Sequence, residues 1–105
     1  MPQPREFLRH PTQFGRADPA EWKQPVASTR HAQGAARLQH ELVRAARQQQ
    51  ERLDQKTDET AHLIGMNPDQ LRRIYRGEAG LTLENVYKIS KAVGLNVGVT
   101  FTRID

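Results

Sequence analysis

Proline placement is the tightest constraint on this chain. Five of its six prolines, Pro2, Pro4, Pro11, Pro19 and Pro25, fall within residues 1–27. A proline fixes φ and has no backbone donor, so neither a long helix nor a central strand can run through that stretch. Residues 1–27 therefore read as a Pro-rich arm, partly ordered, that docks through Phe7, Phe14 and Trp22. Asp18-Pro19 is expected to open one helical turn carrying Trp22, because aspartate caps and proline suits the first helical position. The sixth proline, Pro68, follows Asn67, and that pair marks a helix start further along the chain.

Once the prolines end, the period becomes helical. Leu38, Leu42, Ala45, Ala46 and Leu53 recur at three- and four-residue steps and predict one apolar stripe. The helix begins either at Ser28, as its N-cap, or after Gly34, which costs about 1 kcal/mol inside a helix relative to alanine. A later helix is signposted at both ends. Thr82 caps it, Leu81 and Val86 have the spacing of a hydrophobic staple, and Gly94 stands where a left-handed C-terminal cap belongs. Its predicted stripe is Leu83, Val86, Ile89 and Val93, flanked by Tyr87.

Between these segments lies TDETAHLIGMNPDQLRRIYR, residues 57–76. Two short helices meeting at a sharp corner need a small residue where they touch and a turn residue that accepts positive φ. Ala61 and Gly65 meet those needs. Ile64, Met66, Leu71 and Ile74 are the apolar residues that such a corner buries, and Thr60 occupies one further apolar position through its methyl group. Asn67-Pro68 restarts the helix as cap and first residue.

With the helix before it and GEAGLTLENVYKISKAVGL after it, this stretch resembles the lambda-repressor/Cro (XRE-type) helix-turn-helix family over about residues 38–95. In that family a glycine follows the recognition helix, as Gly77 follows Arg76 here. The resemblance implies a domain over residues 28–94 that lays its second motif helix in the major groove of an operator. It assigns Asp69, Gln70 and Arg73 to base reading. The chemistry suits that role: arginine pairs with guanine, glutamine with adenine, and aspartate accepts from cytosine. Arg72 projects about 100° from Arg73 and either reads a base or grips phosphate. Arg76, Asn67, Lys56 and Thr57 are the expected phosphate contacts.

The last segment, residues 95–105, switches to period two: Leu95, Val97, Val99 and Phe101 alternate with polar residues and glycine. That predicts a β-strand, and a lone strand leaves both edges unpaired. Two partners are open to it, the same strand of a second subunit or the arm through Glu6-Phe7-Leu8. The first implies a homodimer joined through Val97, Val99 and Phe101. It also suits an operator whose successive major grooves are about 34 Å apart. The fold class expected is mainly α: a four- to five-helix bundle with a helix-turn-helix, plus one C-terminal strand paired across a dimer.

Composition narrows the function classes. The net charge is +4, with Arg72, Arg73 and Arg76 clustered. There is no cysteine, so disulfides and thiolate metal sites are excluded. His10, His31, His40 and His62 are scattered without metal-ligand spacing, and no nucleophile or phosphate-loop signature occurs. The expectation is a cytoplasmic, non-enzymatic protein with no cofactor and no membrane partner; its apolar runs fall far short of the ~20 residues that span a bilayer. The leading reading is a transcriptional repressor or autoregulator that binds double-stranded DNA. The alternative is an antitoxin that sequesters a toxin with its arm and binds its own operator.

Overall fold

Four α-helices form where caps and apolar spacing permit: α1 (Arg30–Leu53), α2 (Thr57–Leu63), α3 (Pro68–Tyr75) and α4 (Leu83–Ala92). They are seen in a computed structural model that describes residues 2–104. The mainly α class with a helix-turn-helix holds. Thr82 Oγ1 accepts from the Asn85 N–H at 3.1 Å, the predicted cap of α4. Asn67 Oδ1 accepts from the Asp69 N–H at 2.8 Å and starts α3. A 3₁₀ turn at Ala27–Thr29 feeds α1, so Thr29 rather than Ser28 precedes that helix, and Gly34 lies inside it.

The buried face of α1 differs from the predicted stripe. Leu38 is 76% exposed, and Leu53 is exposed too. The face that points inward carries Gln33, Ala36, Gln39, His40, Val43, Ala46 and Gln50. Four of these are polar, and each has a partner. Gln39 Nε2 donates to the carbonyls of Ile74 and Ala79 at 2.9 and 2.8 Å. Gln33 Nε2 donates to Lys23 O at 2.8 Å. Gln50 Nε2 donates to Thr60 Oγ1 at 2.9 Å, and that hydroxyl donates to Gln55 Oε1 at 2.6 Å. The last carbonyls of a helix lack intrahelical partners. Long amides on a central helix can supply donors to them, and Gln49 does so for Val93 O at 3.0 Å. A hydrophobicity pattern cannot register this use of glutamine. The stripe of α4 is also adjusted: Ile89 and Val93 are buried, Leu83 is exposed, and Ser90 turns inward with Oγ donating to Val86 O.

The residues before α1 fold back on it. Leu8 and Phe14 are buried in the same core as Val43, Ala46, Leu71 and Ile74. His40 is the pivot. Its Nδ1 accepts from the Gly15 N–H at 2.8 Å, so the ring proton sits on Nε2 and is donated to Ala17 O at 3.0 Å. Phe14 and Trp22 pack edge-on against the ring, with centroids 5.6 and 5.5 Å away. No helical turn follows Asp18-Pro19, whose peptide is cis. The backbone around Trp22 is used instead in an antiparallel bridge with Leu8, flanked by Arg9 N–H to Glu21 O and Lys23 N–H to Phe7 O at 3.0 and 2.8 Å. Glu6-Phe7-Leu8 is therefore not the partner of the chain's end.

The predicted C-terminal strand is absent from the single chain. Residues 95–104 form no ladder, and Asp105 lies outside the described residues. A ladder needs a second strand, and the only bridge among the described residues joins Leu8 to Trp22. Val97 is half-buried, whereas Val99 is exposed and Phe101 is 93% exposed.

Tyr75 closes the core at the end of α3. It is buried, with the Arg47 guanidinium 5.2 Å from its ring centroid. Its hydroxyl has no hydrogen-bond partner among the described residues. Burial pushes the phenol up to about 12, with nearby Arg47 opposing. The unfolded chain then releases this proton first, near its ordinary value of about 10. Stability is complete below that pH and is expected to fall by roughly 2–3 kcal/mol as the pH rises to about 12. Tyr75→Phe removes an unsatisfied buried group, so it should stabilise by about 1 kcal/mol at neutral pH and abolish the alkaline loss. Urea unfolding of both proteins at about pH 8 and about pH 11 checks both signs.

Candidate nucleic-acid interface

The corner between α2 and α3 is built by backbone geometry. Gly65 has φ +67°, and the N–H groups of Gly65 and Met66 return to the carbonyls of His62 and Ala61 at 3.2 and 2.9 Å. That pairing is a Schellman termination, which requires a left-handed residue after the helix. No atom lies near the position a Gly65 Cβ would take, so the demand there is conformational and not steric. Ala61 is buried beside the core residues Leu71 and Ile74. α3 thereby turns Leu71, Ile74 and Tyr75 inward and leaves Asp69, Gln70, Arg73 and Arg76 exposed.

The arginines of α3 are not equivalent. Arg72 is braced by two carboxylates, Asp58 on α2 and Asp69 one turn earlier on α3. Those pairs raise its pKa further, the hydrogen bond that it donates to Asp69 contributing most. Arg76 pairs with Glu78 through Nε. Arg73 has no carboxylate partner among the described residues and points outward from the centre of the exposed face. α3 thus presents one unengaged guanidinium, with Gln70 three residues earlier and Asp69 four residues earlier on the same side.

The expected phosphate contacts are arranged differently. Lys56 is exposed at the N-cap of α2, but its backbone N–H is already bonded to Glu59 Oε1 at 3.1 Å. Asp58 and Glu59 sit in the first turn of that helix and offset the positive end of its dipole. Thr57 is half-buried at the first helical position. Asn67 spends its side-chain oxygen on capping α3. Of the expected phosphate contacts, Arg76 stands exposed at the C-cap of α3. Sequence reasoning missed Arg5. Its backbone N–H donates to Gly77 O at 3.0 Å, and its guanidinium lies 3.8 Å from Glu78. No spacing rule links residues so far apart in the chain.

Among the described residues no cluster of three or more His, Asp or Glu could hold a metal ion, and no helix is long and apolar enough to cross a membrane. A comparison with curated proteins and one with solved structures return no match. A helix-turn-helix family model does match, over residues 43–99, from the middle of α1 past the end of α4. That span is more than half of the chain and contains both motif helices and the glycine corner. The chain belongs to the lambda-repressor-like (XRE-type) helix-turn-helix family of DNA-binding transcription regulators.

Proposed function

We propose that this regulator is a repressor or autoregulator that binds a short two-fold operator as a homodimer. The observation that carries the reading is the exposed face of α3, with Arg73 unengaged and flanked by Gln70 and Asp69. In the major groove Arg73 is the guanine reader and Gln70 suits adenine. Asp69, already neutralised by Arg72, can accept from cytosine without meeting the phosphates as a bare anion. Arg72 contributes to reading mainly by holding Asp69 and by tying α2 to α3. Arg76 is the principal phosphate contact, with Lys56, Thr57 and Asn67 lining the approach of the strand to α2.

Support for the dimer comes from residues 95–104, whose sequence alternates with period two and which expose Val99, Phe101 and Ile104. Pairing Val97, Val99 and Phe101 with the same segment of a second copy would satisfy the backbone and cover those side chains. Removal of residues 96–105 is expected to yield a monomer in sedimentation, with operator affinity lowered by at least an order of magnitude because two half-sites are no longer bound together. A dimer that survives the truncation contradicts this arrangement. The repressor reading is preferred to toxin sequestration because the buried Leu8 and Phe14 and the Gly15 N–H bond to His40 tie the arm to the helical core. Selection of bound fragments from random duplex DNA tests the function itself: a recovered palindromic consensus supports it, and fragments without any consensus refute it.

A further inference from the structure

Positive charge accumulates beyond α3, where the N-terminal residues meet the α3–α4 turn. Arg5 and Arg76 converge on one oxygen of Glu78. The Glu78 carboxyl is held below the usual carboxylate range, by its hydrogen bond from Arg76 first and then by the charges of Arg76, Arg5 and Arg73. Arg5 and Arg76 thus share a single carboxylate and leave an excess of one positive charge, to which Arg73 adds its field without an ion pair.

The position of Arg5 is set by backbone as well as by side chains. Its N–H is bonded to Gly77 O, and its Nε donates to Gln3 Oε1 at 2.9 Å. A Cβ at Gly77 would lie 2.7 Å from Phe14 Cγ and 3.0 Å from Arg5 Cβ. Glycine at this point lets the N-terminal residues press against the end of α3. Arg76 is one turn beyond Arg73 on the same side of the helix. A group that shares a carboxylate with Arg76 therefore lies within one side chain's reach of the proposed groove-facing surface.

We infer that Arg5 is a phosphate-binding residue of this protein, extending the interface with duplex DNA onto an N-terminal segment outside the matched family region. Glu78 holds Arg5 and Arg76 side by side in the free protein. Both guanidinium groups are solvent-accessible although Glu78 is half-buried, and ion pairs open to solvent contribute little, so exchanging that carboxylate for phosphate oxygens has a modest cost. The partner is the sugar-phosphate backbone next to the site of Arg76, and the contact carries no base information. This inference rests on the reading of α3 as the groove helix.

The test uses the full chain, a duplex recovered by selection and a scrambled duplex of equal length, each titrated at several salt concentrations between about 50 and 200 mM. Arg5→Gln should weaken binding to both duplexes by the same factor, about three- to tenfold at the low end. Its slope of log K against log salt should fall by about 0.9 per bound protomer. Arg5→Lys should restore the slope, which a purely structural role would not require. Glu78→Gln should tighten both duplexes about threefold by removing an anion beside the phosphates. An unchanged slope in Arg5→Gln, or no recovery with lysine, overturns the inference. The reading of α3 is judged separately: it fails if Arg73→Ala leaves the discrimination between the two duplexes intact, whatever Arg5 does.

Discussion

Gly15→Ala is expected to destabilise the protein by about 2–5 kcal/mol, a large share of the ~5–15 kcal/mol typical of a small domain. Two costs combine. Gly15 has φ +71°, where an L side chain costs about 1–2 kcal/mol. Its Cβ would also fall 2.4 Å from Val43 Cγ1 and 3.2 Å from Tyr75 O. Val43 is fully buried on α1, and the second neighbour is backbone, so neither can retreat freely. Overpacking of this kind adds about 1–3 kcal/mol. A shift of the loop away from α1 would also stretch the Gly15 N–H to His40 bond. Chemical unfolding measures the loss. Val43→Ala provides the internal control: it creates a cavity alone, yet beside Gly15→Ala it makes room for the added methyl group. The double variant should therefore lose clearly less than the sum of the two single losses. Strict additivity would show that the steric argument is wrong.

Arg73→Ala is expected to reduce binding to the preferred operator by about 1–3 kcal/mol, roughly fivefold to 150-fold, and to relax preference at one base pair per half-site. The reasoning is comparative. Arg72 is engaged by Asp58 and Asp69, and Arg76 by Glu78, so of these three only Arg73 would enter a groove, as proposed, without first surrendering an ion-pair partner. Arg76→Ala should instead weaken all sequences alike and reduce the salt slope by about 0.9 for each phosphate that is no longer neutralised. Selection profiles of the two variants beside the wild type separate these outcomes. If Arg73→Ala only lowers affinity uniformly, Arg73 is a phosphate contact and the base-reading assignment must move to Gln70 or Arg72.

Local chemistry made much of the fold legible. Asn67-Pro68 and Thr82 predict the starts of α3 and α4, and both caps form. Gly65, Gly77 and Gly94 are all found at positive φ after a helix. These signals act within about one turn of chain, so a reader of the sequence sees cause and effect together. The register of α1 is not legible for the opposite reason. Its inward face is chosen by what the other helices and the arm need, namely donors for carbonyls at the ends of α3 and α4 and an imidazole between Gly15 and Ala17. Hydrophobicity scales count glutamine and histidine as surface residues and so rank the leucines above them. The same blindness hides Arg5, whose neighbours are Gly77 and Glu78.

By itself the sequence determined the helix boundaries near α3 and α4, the glycine corner and the family, because caps, left-handed glycines and short apolar spacings act between residues a few positions apart. Tertiary structure alone decided which side of α1 is buried, how the proline-rich residues are held, and which arginine of α3 stays unengaged. Those outcomes depend on hydrogen bonds and ion pairs between distant parts of the chain, whose energies exist only after the helices have been brought together.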